Sequence, residues 1–209
     1  MQKKILIVEG ASNSGKTTLC KELQEIYGFY VIKEGVRYLE EMLKRNREEI
    51  LSVPMDIRTE RANQTLLMRA ERKRLHDAFM ASDRGEKVVL DKSALSILST
   101  AYAFQITGKG VGDLPYAIGN LLSLINDIDF SFMEYDIRLA LIKTDAKTRK
   151  ERNQKRSPML NPIWVDEEIV YHTETFLTSL ATNTLMKGRV FDGLSKTLTE
   201  EVLIFFESK

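Results

Sequence analysis

A glycine-rich segment at residues 10–17 carries the clearest chemical signal in the sequence. Its residues, Gly-Ala-Ser-Asn-Ser-Gly-Lys-Thr, satisfy the pattern G-x-x-x-x-G-K-[ST] between an apolar run and a helical pattern. Glycines let backbone N–H groups curl around an anion, and the N-terminus of the following helix adds the positive end of its dipole. Lys16 can reach the β- and γ-phosphates of a nucleoside triphosphate, and the Thr17 hydroxyl can ligate Mg²⁺. The segment therefore predicts a site for ATP with Mg²⁺. The residues expected to bind the nucleotide are Gly10, Ser12, Asn13, Ser14, Gly15, Lys16, Thr17 and Thr18.

Three carboxylates stand at the ends of apolar runs, namely Glu9, Glu34 and Asp91. In a parallel sheet, ligands bind beyond the carboxyl ends of the strands, so these side chains are expected near one crevice. The alternative interpretation is that strand ends turn polar where they meet solvent.

Apolar runs that alternate with helical patterns must position these residues. The runs predict strands at 3–9, 30–34, 87–91, 137–143 and, more weakly, 188–193. Helical periodicity covers 16–26, 36–46, 58–82, 94–104, 116–125, 146–155, 167–182 and 198–208. This alternation favours an α/β fold with a parallel sheet covered by helices on both faces. The length favours one domain over residues 1–209.

Composition narrows the class of protein. The chain is 43% hydrophobic and 29% charged, with a formal net charge of +1, which argues against a stable nucleic-acid partner. Cys20 is the single cysteine, so no disulfide can form within the chain, and no apolar run reaches the roughly 20 residues of a membrane helix. We therefore expect a cytoplasmic protein without a membrane partner. The apolar segment 117–125 favours a core helix, with a homodimer interface as the alternative.

Two further segments carry a family resemblance. Residues 66–105 read LLMRAERKRLHDAFMASDRGEKVVLDKSALSILSTAYAFQ and resemble the middle of thymidylate kinases. Residues 142–158, IKTDAKTRKERNQKRSP, are similar to the strand and arginine-rich lid of that family, and the lid is expected at about 146–162. The segments KEGVRYL and LDKS also resemble deoxynucleoside kinases, a sister group. The resemblance implies a P-loop kinase fold, a three-layer sandwich around a five-stranded parallel sheet. It also implies transfer of the γ-phosphoryl group of ATP to a nucleoside or a nucleoside monophosphate.

The sequence departs from the thymidylate kinase pattern at four positions. Ser12 replaces the loop aspartate, Met68 replaces the aromatic residue that stacks on thymine, and Lys33 and Lys92 replace arginines. A lysine keeps the positive charge but loses the planar, bidentate fork. These changes leave the acceptor open, and a non-nucleoside alcohol is a further possibility.

The predicted lid supplies cations for the transferring group. Arg149, Arg152 and Arg156 recur at three- and four-residue spacing, so one helix face would present all three guanidinium groups. Closing that face over the phosphates could stabilise the developing charge and exclude water. Arg152 is the first catalytic candidate and Arg149 the second, beside Lys16, while Arg156 is expected on the nucleotide. The alternative is a solvated basic face.

The resemblance also implies roles at the acceptor site. Glu34 matches the glutamate that takes the proton of the acceptor hydroxyl. Asp91 is expected to hold Mg²⁺ together with Thr17, or to act as the base if Glu34 does not. The residues expected to bind the acceptor are Lys33, Arg37, Gln64, Met68, Arg69, Arg72, Lys92, Ser93, Tyr102 and Gln105.

A different class of function fits the glycine-rich segment equally well. An ATPase or nucleotide switch would use the same loop, and its basic helix would contact a macromolecular partner. No long insertion or additional module is evident in the sequence to receive such a partner. A small-molecule kinase is therefore the preferred interpretation.

Overall fold

Five parallel strands form the central sheet of the computed structural model, which describes residues 3–127, 134–156, 160–183 and 187–208. The strands are β1 (Lys3–Glu9), β2 (Tyr30–Ile32), β3 (Val88–Asp91), β4 (Tyr135–Lys143) and β5 (Lys187–Asp192). Their order across the sheet is β2-β3-β1-β4-β5, and every neighbouring pair is parallel. The predicted five-stranded parallel sheet is confirmed.

Helices connect the strands and cover both faces of the sheet. They are α1 (Lys16–Tyr27), α2 (Gly35–Leu43), α3 (Arg47–Ile50), α4 (Ile57–Asp83), α5 (Ala94–Thr107), α6 (Leu114–Asp127), α7 (Ala146–Gln154), α8 (Glu167–Ala181) and α9 (Leu198–Glu207). A short 3₁₀ helix spans Pro162–Val165. Asp56 and Asp145 begin α4 and α7, because each side chain accepts a hydrogen bond from a backbone N–H of the first turn. Within the described ranges, no helix is both long and apolar enough to cross a bilayer.

Alternating side chains of β1 separate two apolar layers. Ile5 packs on one face with residues of β3, α4 and α5, including Val88 and Leu75. Leu6 and Val8 pack on the other face with residues of α1, β5 and α9. Cys20 belongs to this second layer, and burial raises the pKa of its thiol well above the ordinary value. The sheet therefore lies between two helical layers, as the predicted three-layer sandwich requires.

Some boundaries differ from the predicted ones for physical reasons. β2 ends at Ile32 rather than at 34, because the Lys33 carbonyl accepts a hydrogen bond from the Arg74 side chain. α2 ends at Leu43 rather than at 46, because Lys44 adopts a left-handed conformation with a φ of 53°. The short helices at 47–50 and 162–165 were not predicted.

The apolar segment 117–125 lies in α6 and has two faces. Ala117 and Leu124 are buried, in agreement with the preferred core interpretation. Ile118, Leu122 and Ile125 are 43%, 56% and 44% exposed. The core interpretation therefore accounts for one side of the helix.

Candidate active site

The glycine-rich loop joins β1 to α1 at the carboxyl edge of the sheet. Gly10 and Gly15 have φ angles of 144° and 105°, and Asn13 has a φ of 63°. A Cβ atom on Gly10 would lie 2.3 Å from the carbonyl oxygen of Ile142 in β4. Glycine is therefore required at residue 10 both by its backbone conformation and by close packing against β4.

Lys16 is buried at the start of α1. Its ammonium group donates to the Ala11 carbonyl at 2.7 Å and to Ser14 Oγ at 3.3 Å. Burial, together with the positive charge of Lys92, lowers the pKa of Lys16 from 10.5 to about 8. Because the folded protein disfavours this charge, a bound polyphosphate would relieve the electrostatic cost.

Thr17 and Asp91 meet beside this lysine. The Thr17 hydroxyl donates to Asp91 Oδ2 at 2.9 Å. Asp91 Oδ1 is buried, and no described residue forms a hydrogen bond with it. Mg²⁺ prefers oxygen ligands and is commonly held by one or two side chains together with substrate phosphates and water. The hydroxyl and the carboxylate therefore fit the ion that the loop motif implies.

The arginines of α7 divide into two groups. Arg152 Nη1 donates to the Asn13 carbonyl at 3.0 Å, so its guanidinium lies against the glycine-rich loop. Arg156 lines the same cavity as Arg152. Arg149 is buried, donates to the Thr144 carbonyl at the end of β4, and lies 3.4 Å from Glu174 of α8. The structure thus brings two of the three predicted arginines to the loop. Part of the predicted lid, residues 157–159, lies outside the described residues.

Thr144 and Gly193, which the sequence analysis did not select, support the loop by packing against Ser14. The Thr144 hydroxyl donates to the Ser14 carbonyl at 2.9 Å. A Cβ atom on Gly193 would lie 2.3 Å from Thr144 Oγ1 and 2.7 Å from the Ser14 carbonyl oxygen. The turn after β5 therefore packs on the loop at a distance that only glycine permits.

Two cavities open at this edge of the sheet. The loop cavity has a volume of about 880 Å³. Its lining includes three cations, Lys16, Arg152 and Arg156, together with Thr17 and Asp91. The inner cavity has a volume of about 420 Å³ and lies between α4, α5 and α8. Its lining includes Glu60, Gln64 and Glu71 of α4, Ser93 and Ser96 near the start of α5, and the aromatic residues Phe104 and Trp164.

Glu34 and Lys92 connect the two cavities. Both residues line both cavities, and the Lys92 ammonium lies 3.1 Å from Glu34 Oε2. Lys92 adopts a φ of 63°, which is uncommon for a residue with a side chain, and its backbone N–H donates to the Val8 carbonyl. A carboxylate at the junction is correctly placed to act on a group that approaches from the inner cavity.

Glu9, the third predicted carboxylate, is bound within the scaffold. It is fully buried and accepts hydrogen bonds from the Ser93 backbone, the Ser93 hydroxyl and the Ser96 hydroxyl at 2.6–2.8 Å. Burial raises the pKa of Glu9, and the hydrogen bonds from the two serines oppose that shift. Its role in the structure is to join the end of β1 to the start of α5.

Arg74 of α4 is a further buried residue that the sequence analysis did not select. Its guanidinium donates to the backbone carbonyls of Lys33, Asp91 and Lys92 at 2.6–2.9 Å and pairs with Glu71. Arg74 therefore ties the end of β2 to the end of β3. Its one sequence signal was the acidic residue three positions earlier in a strongly basic helix.

The predicted acceptor residues lie in several environments. Gln64, Lys92 and Ser93 line the inner cavity. Lys33 and Arg37 line the loop cavity and pair with Glu41 and Glu40. The other five residues lie outside the described lining of both cavities. Met68 is in the core, and Arg69 and Gln105 are exposed. Arg72 pairs with Asp127, and Tyr102 packs on Phe176.

Comparisons with known proteins show the fold. No protein-family model matches the sequence, and no curated protein matches it. Three solved structures of deoxyadenosine kinase from M. mycoides match over 95–96% of this chain and 96–97% of theirs. The structure with dCMP and a flexible dCDP is 19% identical with a TM-score of 0.59, and the one with dCTP is 18% identical with a TM-score of 0.61. The one with dATP is 17% identical with a TM-score of 0.62. The chain therefore has the fold of a P-loop deoxynucleoside kinase, as its sequence predicts.

Proposed function

We propose that this protein is an ATP-dependent kinase that transfers the γ-phosphoryl group to a hydroxyl group of a nucleoside. The observation that carries the proposal is the junction of two unlike cavities at Glu34. The loop cavity is lined by cations that suit a polyphosphate, and the inner cavity is smaller and partly apolar. A donor in one cavity and an acceptor in the other would meet at a carboxylate.

The residues of the loop cavity have distinct roles in this reaction. Lys16 and the loop N–H groups hold the phosphates, while Arg152 neutralises charge that develops on the transferring group. Thr17 and Asp91 would hold Mg²⁺, which supplies charge neutralisation at the phosphate oxygens when it is bound. Positioning and charge neutralisation provide most of the catalysis in phosphoryl transfer.

Glu34 acts on the acceptor. The acceptor oxygen forms a bond to the γ-phosphorus as the bond from that phosphorus to the bridging oxygen of ATP breaks, and ADP leaves. The Glu34 carboxylate accepts the proton that the hydroxyl loses. The Lys92 ammonium lies 3.1 Å from Glu34 Oε2, so a positive charge stands beside the proposed base.

The charge of the inner cavity favours a nucleoside over a nucleoside monophosphate. Among its described lining residues, Lys92 is the sole cation, and it is paired with Glu34. Glu60 and Glu71 are buried carboxyl groups in the same lining. Glu71 is paired with Arg74 and Glu60 accepts from Gln64, so the described lining offers a phosphate dianion no cation other than Lys92. A volume of about 420 Å³ lies within the usual range for small-molecule sites, and the neighbouring structures hold deoxynucleotides.

A direct assay separates this proposal from its alternatives. The protein is incubated with ATP, Mg²⁺ and either a deoxynucleoside or the corresponding monophosphate, and ADP and the phosphorylated product are quantified. We expect one ADP for each nucleoside monophosphate formed, and no turnover by the Lys16→Met variant. Turnover of monophosphates alone would indicate a thymidylate kinase-like enzyme. ATP hydrolysis without any phosphorylated small molecule would indicate an ATPase or switch.

A further inference from the structure

Leu160 lies at the junction of the two cavities. Four of the described residues line both the loop cavity and the inner cavity, namely Ser12, Glu34, Lys92 and Leu160. Three members of this set are polar or charged, and Leu160 contributes its apolar side chain. The place where the γ-phosphoryl group would pass from donor to acceptor is therefore bordered by an aliphatic group.

A buried side chain of α7 holds Leu160 in place. The Leu160 backbone N–H donates to Asn153 Oδ1 at 3.1 Å, and Asn153 is 6% exposed. Because a backbone N–H can only donate, the oxygen of the Asn153 amide must face Leu160. Asn153 directly follows Arg152, whose guanidinium contacts the glycine-rich loop. The helix that carries Arg152 therefore also fixes the position of Leu160.

The chain that follows is fixed as well. Trp164 of the 3₁₀ helix packs on Phe104 with their ring centroids 5.7 Å apart, and both rings line the inner cavity. Asp166 then forms an ion pair with the Lys109 ammonium at 2.7 Å. Residues 160–166 are thus held at both ends by contacts within the protein, before any ligand binds.

Water competes with the acceptor for the γ-phosphoryl group. In hydrolysis the water oxygen bonds to the γ-phosphorus, the bond from that phosphorus to the bridging oxygen breaks, and ADP and inorganic phosphate leave. The Glu34 carboxylate can take the proton that water loses, just as it takes the proton of a nucleoside hydroxyl. An ordered water needs two or more polar partners, so an aliphatic side chain at the junction makes that position less favourable for water.

We infer that Leu160, held by Asn153, keeps water from the γ-phosphoryl group and so directs that group to the acceptor hydroxyl. This inference rests on the proposed function. Leu160 determines which oxygen attacks, and Asn153 is a positioning residue that acts through it. Exclusion of water from a reactive group is a recognised way in which an active site prevents a side reaction.

The test measures both fates of the phosphoryl group in one reaction. Inorganic phosphate and nucleoside monophosphate are quantified with ATP, Mg²⁺ and a deoxynucleoside, and Lys16→Met sets the background. In Leu160→Ala we expect the absolute rate of phosphate release to rise by about tenfold, as it would if the barrier to attack by water fell by about 1.4 kcal/mol. Leu160→Met retains an apolar side chain of similar volume and should release phosphate at the wild-type rate.

A gain in hydrolysis separates this role from simple damage to the site, since damage lowers both rates. Trp164 is the single tryptophan of the chain, so its emission reports whether the 3₁₀ helix remains on Phe104 in each variant. Leu122→Ala is the matched control, because Leu122 is 56% exposed on α6 and lies outside the described lining of both cavities. An unchanged or lower rate of phosphate release in a folded Leu160→Ala protein would overturn the inference.

Two variants of Asn153 test the positioning role. Asn153→Ala removes the acceptor of the Leu160 N–H and should raise phosphate release, whereas Asn153→Asp retains an acceptor oxygen and should keep it low. A merely structural role would change the melting temperature without changing the ratio of the two products. Equal phosphate release by the two variants would contradict the role of Asn153, and it would overturn the whole inference if Leu160→Ala does not fold.

Failure of the inference can be distinguished from failure of the proposed function. If the wild-type protein phosphorylates no nucleoside, the kinase proposal fails, and phosphate release with ATP alone still tests Leu160. Faster release by Leu160→Ala would then retain the exclusion of water, and no increase would reject both. If nucleosides are phosphorylated and Leu160→Ala releases no additional phosphate, the inference alone fails.

Discussion

The Lys92 ammonium and the Glu34 carboxylate lie 3.1 Å apart at the point where the loop cavity and the inner cavity meet. Arg74 supports the pairing of Lys92 with Glu34. Its guanidinium donates to the backbone carbonyl of Lys92 and to that of Lys33, the residue before Glu34. A buried arginine of α4 therefore joins the residues that follow β2 to the end of β3 and the residue after it. The position of the proposed base depends on that contact.

Replacing Glu34 by Gln should remove the proton acceptor while keeping the size of the side chain. We expect kcat for the nucleoside to fall by about 10²–10⁴, the usual contribution of a general base. ATP binding should change little, since the cations of the loop cavity remain. Steady-state kinetics and nucleotide titration measure the two effects.

Glu41→Gln is the matched control for that variant. Glu41 also lines the loop cavity, but it is exposed and paired with Lys33. An exposed ion pair contributes about 0–1 kcal/mol, so neither turnover nor stability should change much. Wild-type turnover by Glu34→Gln would transfer the role of the base to Asp91.

Arginines 149 and 152 of α7 should have different functions although they are one turn apart. Arg152→Ala should lower kcat by about 10² or more with little effect on the melting temperature, because Arg152 contacts the loop through Asn13. Arg149→Ala should instead cost about 1–3 kcal/mol of stability, because it leaves the Thr144 carbonyl and Glu174 without their partner.

The two variants control for each other, since both exchange arginine for alanine within one helix. Thermal unfolding and steady-state kinetics on the pair separate a catalytic role from a structural one. A larger loss of kcat in Arg149→Ala than in Arg152→Ala would reverse the assignment.

Lys92 combines a site role with an unfavourable backbone conformation. Its φ of 63° is unfavourable for any residue with a Cβ atom. Lys92→Gly and Lys92→Ala both remove the charge, so the difference between their stabilities reports the effect of the backbone conformation and not that of the charge. We expect the glycine variant to be the more stable by about 1 kcal/mol and both to have strongly reduced kcat. Because glycine also increases the conformational entropy of the unfolded chain, a glycine variant less stable than the alanine variant would show that the conformation carries little strain.

The fold could be predicted from the sequence because its signals are local. Apolar runs marked the five strands, and the glycine-rich pattern located the turn between β1 and α1. Boundaries were less predictable where a distant side chain decided them. The end of β2, for example, depends on Arg74, which is 41 residues away from Lys33. Periodicity within a segment contains no information about such a contact.

In the candidate site, too, the residues with local signals were predictable and those fixed by distant contacts were not. The loop residues and the carboxylates at strand ends follow from their position in the chain, and the structure places them together. Spacing alone does not show which arginines of α4 and α7 are buried and which are exposed. Arg69, Arg72 and Arg74 of α4 look alike in sequence, yet Arg74 is fully buried. The orientation of the Gln64 amide depends on the Asp113 carbonyl, which lies 49 residues further along the chain.

The lowered pKa of Lys16 has a consequence for stability. Because burial lowers that pKa from 10.5 to about 8, the unfolded chain binds the proton more tightly than the folded protein does. The contribution of this group to stability therefore rises as the pH increases from about 8 to 10.5 and is constant and unfavourable below pH 8. Lys16→Met should raise the melting temperature of the ligand-free protein at pH 7, by a margin that shrinks above pH 8. Lys21→Met, at an exposed position on the same helix, is the matched control for the loss of a lysine from α1.

The same group links ATP binding to a proton. A triphosphate beside the Lys16 ammonium should raise its pKa again, so binding takes up a proton near and above pH 8, and affinity decreases as the pH rises through that range. Titration calorimetry at pH 8.5 in two buffers with different ionisation enthalpies measures the proton directly. We expect net proton uptake by the wild-type protein and a smaller uptake by Lys16→Met. Equal proton exchange in the two proteins would mean that the Lys16 ammonium does not contact the bound phosphates.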